Sequence, residues 1–253
     1  MRSIFDFHLH PFIDVKSRIG SYQAPSDARA FVEHLQRVGI TECAGSVIQR
    51  TDGTDFNKIR ALNDEALRFR DMFPDFYHPG FHILPNFIDE SIKELDRLRA
   101  EGSRLIGELV PYSMGYDKYM HPGLLPVWEY AQEMHMVVSI HSMDVQDMES
   151  LIASYPKLVV VMAHPGEFAA LSSKIDILQK YDNAYLDICG TGLFRYNMLS
   201  YTVKKVGAER ILFATDYPTC NAAMQVAAVN YEDITDNDRD AIFHNNAKRL
   251  LGL

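Results

Sequence analysis

LVVVMAH, at positions 158 to 164, runs through six apolar residues without a break and then ends on a histidine. Successive side chains of a strand point to opposite faces, so a run that never alternates is buried on both sides. A parallel strand sandwiched between helices meets that demand, and a half-solvated antiparallel strand does not. Reading outward, MVVSIH (136–141) precedes it and AYLDIC (184–189) follows it, each separated from it by a stretch of helical periodicity. The same kind of segment recurs as SIFDFHLH (3–10), TECAGSVI (41–48), YHPGFHIL (77–84), RLIGELV (104–110) and RILFATD (210–216). Between them lie amphipathic candidates such as DARAFVEHLQRVG (27–39), NKIRALNDEALRFRDM (57–72), DESIKELDRLRAEG (89–102), LLPVWEYAQEMH (124–135), MESLIASYP (148–156) and LSSKIDILQKY (171–181), several of which stop on Gly or Pro.

Strand and helix alternating eight times favours a sheet closed on itself. The expectation is an α/β fold, a single-domain (β/α)8 TIM barrel spanning 1–253, with DAIFHNNAKRLLGL (240–253) as a C-terminal closing helix. The length of 253 residues, 47% hydrophobic, suits one such barrel. A formal net charge of -9 opposes a broad phosphate-binding surface, so neither nucleic acid nor an anionic membrane is expected as partner and a small-molecule substrate is. No stretch reaches the roughly 18 apolar residues of a membrane span, and MRSIFDFHLHPF lacks the unbroken apolar core of a signal peptide. Three dispersed cysteines, Cys43, Cys189 and Cys220, read as reduced thiols, which with the missing leader suggests a cytoplasmic protein. Self-association is left open.

Chemistry concentrates at strand ends. In HLH (8–10) two imidazoles leave one face of a strand about 7 Å apart along the chain, half of a metal site. His141 ends the fifth strand, His164 the sixth and Asp216 the eighth, all at carboxyl ends, where barrel active sites lie. Closure sets the eighth strand beside the first and so brings Asp216 to the histidine pair. Imidazoles and a carboxylate converging on a concave mouth suit Zn2+ or a similar divalent ion.

HLH, SIHS, MAHPGE, FATDYP and the terminal NNAKRLLGL together resemble the amidohydrolase-related branch of the amidohydrolase superfamily, in the right order and over essentially the whole chain. The resemblance implies a distorted barrel holding one or two divalent metals, a metal-activated water, and Asp216 as ligand and proton acceptor. It leaves the reaction open among hydrolases, lactonases, hydratases and non-oxidative decarboxylases. Where the commonest two-metal members carry a lysine on the fourth strand, this chain has Glu108 in LIGELVPY, similar to the strand-four glutamate of TatD-like hydrolases. Two arrangements follow. In one, His8, His10 and Asp216 hold a first metal, His141 and His164 a second, and Glu108 bridges. In the other, His8, His10, His141 and Asp216 hold a single metal, His164 polarises the substrate, and Glu108 binds substrate or carries a proton.

The leading expectation is a zinc-dependent hydrolase of an amide, ester or lactone, with Asp216, His164 and Glu108 catalytic and Mn2+ or another divalent ion as a substitute for zinc. The alternative is a metal-dependent non-oxidative decarboxylase or hydratase acting on an unsaturated or aromatic carboxylic acid. Arg195, just past the seventh strand, is a candidate clamp for a substrate carboxylate. Tyr112 is a candidate substrate contact, within a loop that also holds Tyr116, Tyr119 and His121. His82 is expected to be a satisfied interior histidine, and His34, His78, His135 and His244 to lie at surface positions. Asp6 and Asp187 are expected as buried hydrogen-bond partners, Asp6 orienting a ligand from behind.

Overall fold

The computed structural model describes residues 2–20 and 22–253. Eight parallel strands pair in chain order: β1 (Phe5–Leu9), β2 (Glu42–Gly45), β3 (Tyr77–Phe81), β4 (Leu105–Leu109), β5 (Val137–Ile140), β6 (Val159–Met162), β7 (Ala184–Asp187) and β8 (Ile211–Leu212). The ring is completed between β8 and β1 by Phe7 N donating to Phe213 O (2.9 Å), Asp216 N to His8 O (2.8 Å) and His10 N to Tyr217 O (2.9 Å). This is the (β/α)8 barrel that the alternation implies.

Around it run α1 (Ala28–Arg37), α2 (Phe56–Met72), α3 (Ile88–Ala100), the single turn α4 (Pro111–Met114), α5 (Leu125–Glu133), α6 (Val145–Ser154), α7 (Phe168–Lys180), α8 (Met198–Val206), α9 (Ala222–Tyr231), α10 (Asp236–Asp240) and α11 (Asn246–Leu251). In α1 the side chain of Asp27 accepts from Ala30 N, and Ala28, Phe31, Val32 and Leu35 turn inward at helical spacing. The expected closing helix is two pieces, a π-helical turn (Ala241–Asn245) running into α11. Strands are shorter than the apolar runs that announce them, because pairing ends where the chain bends to present its carboxyl-terminal residues.

Two apolar layers result. Val160 and Met162 of β6 face the helices, with Phe31, Phe69, Leu151 and Leu178 in the same layer. Phe5, Phe7, Ala44, Leu105, Val137, Val161, Ala163, Leu212 and Ala214 fill the barrel interior, which Ala247 and Leu251 of α11 close from below. Above this packing, the carboxyl ends of the strands form the opening of the barrel mouth. Among the described residues no helix is long and apolar enough to cross a membrane.

Candidate metal centre

Local backbone irregularities aim the side chains into that opening. In β1, Phe5 and Phe7 belong to the interior and Leu9 to the helix layer. The pairing register slips between Asp6 and Leu9, which breaks the alternation and lets His8 and His10 face inward above the two phenylalanines. In β4 a similar slip lies between Ile106 and Leu109. There Gly107 has φ +90°, and a Cβ on it would fall 2.4 Å from both Leu109 N and Ser139 O, so only glycine admits the turn that presents Glu108. Asp187 of β7, Cys189 two residues beyond it and Asp216 after β8 keep the inward alternation. His164 (φ +60°) and Asp216 (φ +59°) hold left-handed backbone conformations, which costs on the order of 1–2 kcal/mol at a non-glycine residue. Gly190 is what admits the His164 ring, since a Cβ there would lie 2.5 Å from His164 Nδ1.

The side chains gather around Glu108. Its Oε2 lies 3.2 Å from His8 Nε2 and 3.4 Å from His10 Nε2, and its Oε1 lies 2.9 Å from His141 Nδ1 and 3.2 Å from His164 Nε2. His8 Nε2 and His10 Nε2 are 3.2 Å apart, and Asp216 Oδ1 is 3.6 Å from His10 Nε2. Behind the pair, His8 Nδ1 donates to Asp187 Oδ2 (3.0 Å) and His10 Nδ1 to Ser46 O (2.9 Å). Those donations select the neutral tautomers in which both Nε2 atoms are lone pairs. Two lone pairs and two carboxylate oxygens therefore confront one another in a buried space, where only protons or a cation can reconcile them. Donors about 2.1 Å from a common ion stand roughly 3.0–3.4 Å apart, the spacing range these atoms approach. The donor chemistry fits a divalent metal.

Electrostatics agree. Burial alone would strip the proton from His8, but Cys189, Glu108 and Asp187 reverse that and carry its pKa well above the usual value. Burial opposes the His164 proton too, yet Cys189 and Glu108 push its pKa up to about 12. Burial likewise works against the Glu108 charge, but the four surrounding imidazoles hold its carboxyl well below the usual range. Burial raises Asp216 despite His8 and His10. A pocket that holds protons on His8 and His164 this firmly is one into which a divalent cation could move in their place. Exposure grades across it: the His8 and His10 side chains are 1% and 4% accessible, those of His141 and His164 are 24% and 16%.

His8, His10, Glu108, His141, His164 and Asp216 thus come together, and His141 groups with His164 rather than with the His8–His10 pair. Tyr112 joins them, its hydroxyl donating to His141 Nε2 at 3.3 Å. Tyr119 grips the backbone beneath, donating to Leu109 O (3.1 Å) and His141 O (2.7 Å). Arg195 stands apart: it is exposed and paired at 3.0 Å with Glu167. Asp6 accepts from His8 N, Thr215 N and Thr215 Oγ1, tying β1 to β8. The residue that orients a histidine ring from behind is therefore Asp187. His82 is buried as expected and donates from Nε2 to Val47 O, but its Nδ1 has no partner among the described residues; His135 is exposed, whereas His34, its ring stacked on Tyr217, His78 and His244 are half-buried. Cys189 was not anticipated: its Sγ lies 3.2 Å from both His8 Nδ1 and His164 Nδ1. Its legible signal is the inward alternation of Asp187 and Cys189 at the end of β7.

Residues 5–253 match the sequence profile of the family described as Amidohydrolase. A gamma-resorcylate decarboxylase of Rhizobium sp. (strain MTP-10005) is 30% identical over 151 residues, a match covering 53% of this chain and 45% of that protein. The matched region is thus less than half the length of the relative. A 2,6-dihydroxybenzoate decarboxylase solved with 2,6-dihydroxybenzoate superposes with a TM-score of 0.78 at 19% identity, covering 99% of this chain and 98% of that one. A dihydroxybenzoic acid decarboxylase from Polaromonas, solved with manganese and 2-nitroresorcinol, gives 0.73 at 20% identity, covering 99% and 97%. The expectation of a hydrolase is overturned by these decarboxylases, which match the second of the two activities considered. The reason lies in the ligand set, since a Lewis acid that activates water for hydrolysis also holds the oxygens of an acid about to lose CO2. The zinc expectation reduces to a divalent metal, manganese being the one held by the Polaromonas structure.

Proposed function

We propose that this chain, which belongs to the amidohydrolase family, is a divalent-metal-dependent enzyme that removes CO2 without oxidation from an aromatic carboxylic acid of the hydroxybenzoate type. The observation that carries the reading is the gamma-resorcylate decarboxylase relationship, joined to a donor set able to hold the required cation.

The deeply buried His8, His10, Glu108 and Asp216 would hold the ion, with Mn2+ the favoured occupant, and the more accessible His141, His164 and Tyr112 would meet the substrate. When bound, the ion supplies positive charge for the substrate's oxygens as negative charge shifts onto them. His164, more accessible than the residues that would hold the ion, adds an imidazole facing the opening that can donate a hydrogen bond to the substrate's carboxylate. Asp216, a carboxylate with a second oxygen beyond the one that would meet the ion, is suited to carry a proton to the ring carbon bearing the carboxylate. The new C–H bond forms as the C–CO2 bond breaks, CO2 departs, and Asp216 is left as a carboxylate to be reprotonated from solvent. Arg195 would join only if it released Glu167, so the carboxylate-clamp role is weaker for it than for His164.

The test is incubation of the Mn2+-loaded protein with 2,6-dihydroxybenzoate and related ortho-hydroxybenzoates. Disappearance of the acid with release of equimolar CO2 and the decarboxylated phenol is expected. Unchanged acids across the series would contradict the proposal.

A further inference from the structure

Cys189 would touch neither substrate nor ion in the decarboxylation just described, yet it is fully buried, with Sγ 3.2 Å from His8 Nδ1 and 3.2 Å from His164 Nδ1. These three donors come from the ends of β7, β1 and β6, lie within 4.8 Å of one another, and sit on the opposite ring nitrogens from those that face Glu108. Asp187 Oδ2, 3.0 Å from His8 Nδ1, brings a carboxylate to the same side. We propose that His8, His164 and Cys189 form a second cation seat, behind the first, selective for a thiophilic divalent ion such as Cd2+ or Zn2+.

The selectivity follows from donor softness. The front seat of His8, His10, Glu108 and Asp216 mixes nitrogen with carboxylate oxygen and suits Mn2+, whereas a thiolate with two imidazoles suits Zn2+ and its softer congener. Loading the rear seat breaks the Sγ–H bond of Cys189, sends the proton to solvent and forms an Sγ–metal bond, a coordinated thiol being deprotonated by its metal. The proton on His8 Nδ1 moves to Nε2, where Glu108 accepts its hydrogen bond, and His164 releases its Nδ1 proton to solvent as that nitrogen binds the ion. A neutral imidazole carries one lone pair, so His8 can serve one seat at a time. The rear seat, filled, takes from the front seat one of its ligands and makes the thiophilic ion an inhibitor of the Mn2+ form. Only that inhibitory consequence rests on the decarboxylase reading; the seat itself does not.

The test is titration of the chelator-stripped protein with Cd2+, read by the ultraviolet thiolate-to-cadmium charge-transfer band, which reports the sulfur bond whatever the activity. Cys189 is the only thiol left in Cys43→Ala/Cys220→Ser, because the chain has three cysteines. The band is expected at full intensity in the wild type and in that double variant, saturating at one equivalent, and is expected to vanish in Cys189→Ser while Mn2+ binding persists. No band in the double variant would overturn the proposal, as would an undiminished band in Cys189→Ser. Should Cys189→Ser fail to fold, the double variant alone decides.

Discussion

The two ends of the barrel each bring a histidine to a shielded glutamate, and they do opposite things with it. At the floor, Glu42 of β2 meets His78 Nε2 at 3.2 Å and Lys248 Nζ of α11 at 2.6 Å. Lysine supplies the counter-charge, and His78, lowered by burial in spite of Glu42, is left neutral and stacked on Phe5. At the mouth, no lysine or arginine among the described residues forms an ion pair with Glu108, Asp187 or Asp216, and His8 and His164 hold protons instead. An ion pair complete in itself makes a structural joint. Carboxylates left without one make a cation site, because burial penalises their charge until something positive arrives.

That contrast can be broken in graded steps. Asp216→Asn removes the proposed proton carrier with little change of shape; turnover of a substrate acid should fall on the order of a thousandfold while the circular dichroism spectrum is kept. Near wild-type turnover would end the assignment. Tyr112→Phe deletes a hydroxyl that donates to His141 at 3.3 Å on a half-exposed side chain, and kcat/KM should drop by about threefold to tenfold, the worth of one modest hydrogen bond. At the floor, Lys248→Met removes a partly exposed ion pair and should lower unfolding free energy by about 1 kcal/mol or less, with metal content and turnover unchanged. A loss of metal in that variant would mean the two ends are coupled in a way the barrel interior gives no reason to expect.

The fold was legible because its evidence is local and repeated. Runs such as LVVVMA (158–163) and MVVSI (136–140) announce two-sided burial one strand at a time, and strand ends locate the mouth. Harder to read were α8 and α9. AAMQVAAVNY in α9 is apolar nearly all round, so no stripe marks it as a helix. The ligand candidates were legible for the same reason as the strands, since HLH, SIH, MAH and ATD end apolar runs. What single residues could not reveal were the register slips in β1 and β4. These slips turn His8 and Glu108 inward against simple alternation and bring Glu108 oxygens to both groups of histidines. Partner choice across long separations was equally hidden. Asp187 rather than Asp6 backs His8, and Glu167 claims Arg195.

If uncompensated carboxylates make the mouth a divalent-cation site, Glu108, the side chain that touches all four histidines there, is the residue on which that depends most. Calorimetric titration of the chelator-stripped protein with Mn2+ tests it directly, for the wild type beside Glu108→Gln. Tight binding by the wild type is expected, tighter as pH rises because His8 and His164 must release protons to the incoming ion. Binding at least about a hundredfold weaker is expected in Glu108→Gln, the upper end of what losing even an outer partner costs. No Mn2+ uptake by the wild type, or equal affinity in the variant, would contradict it.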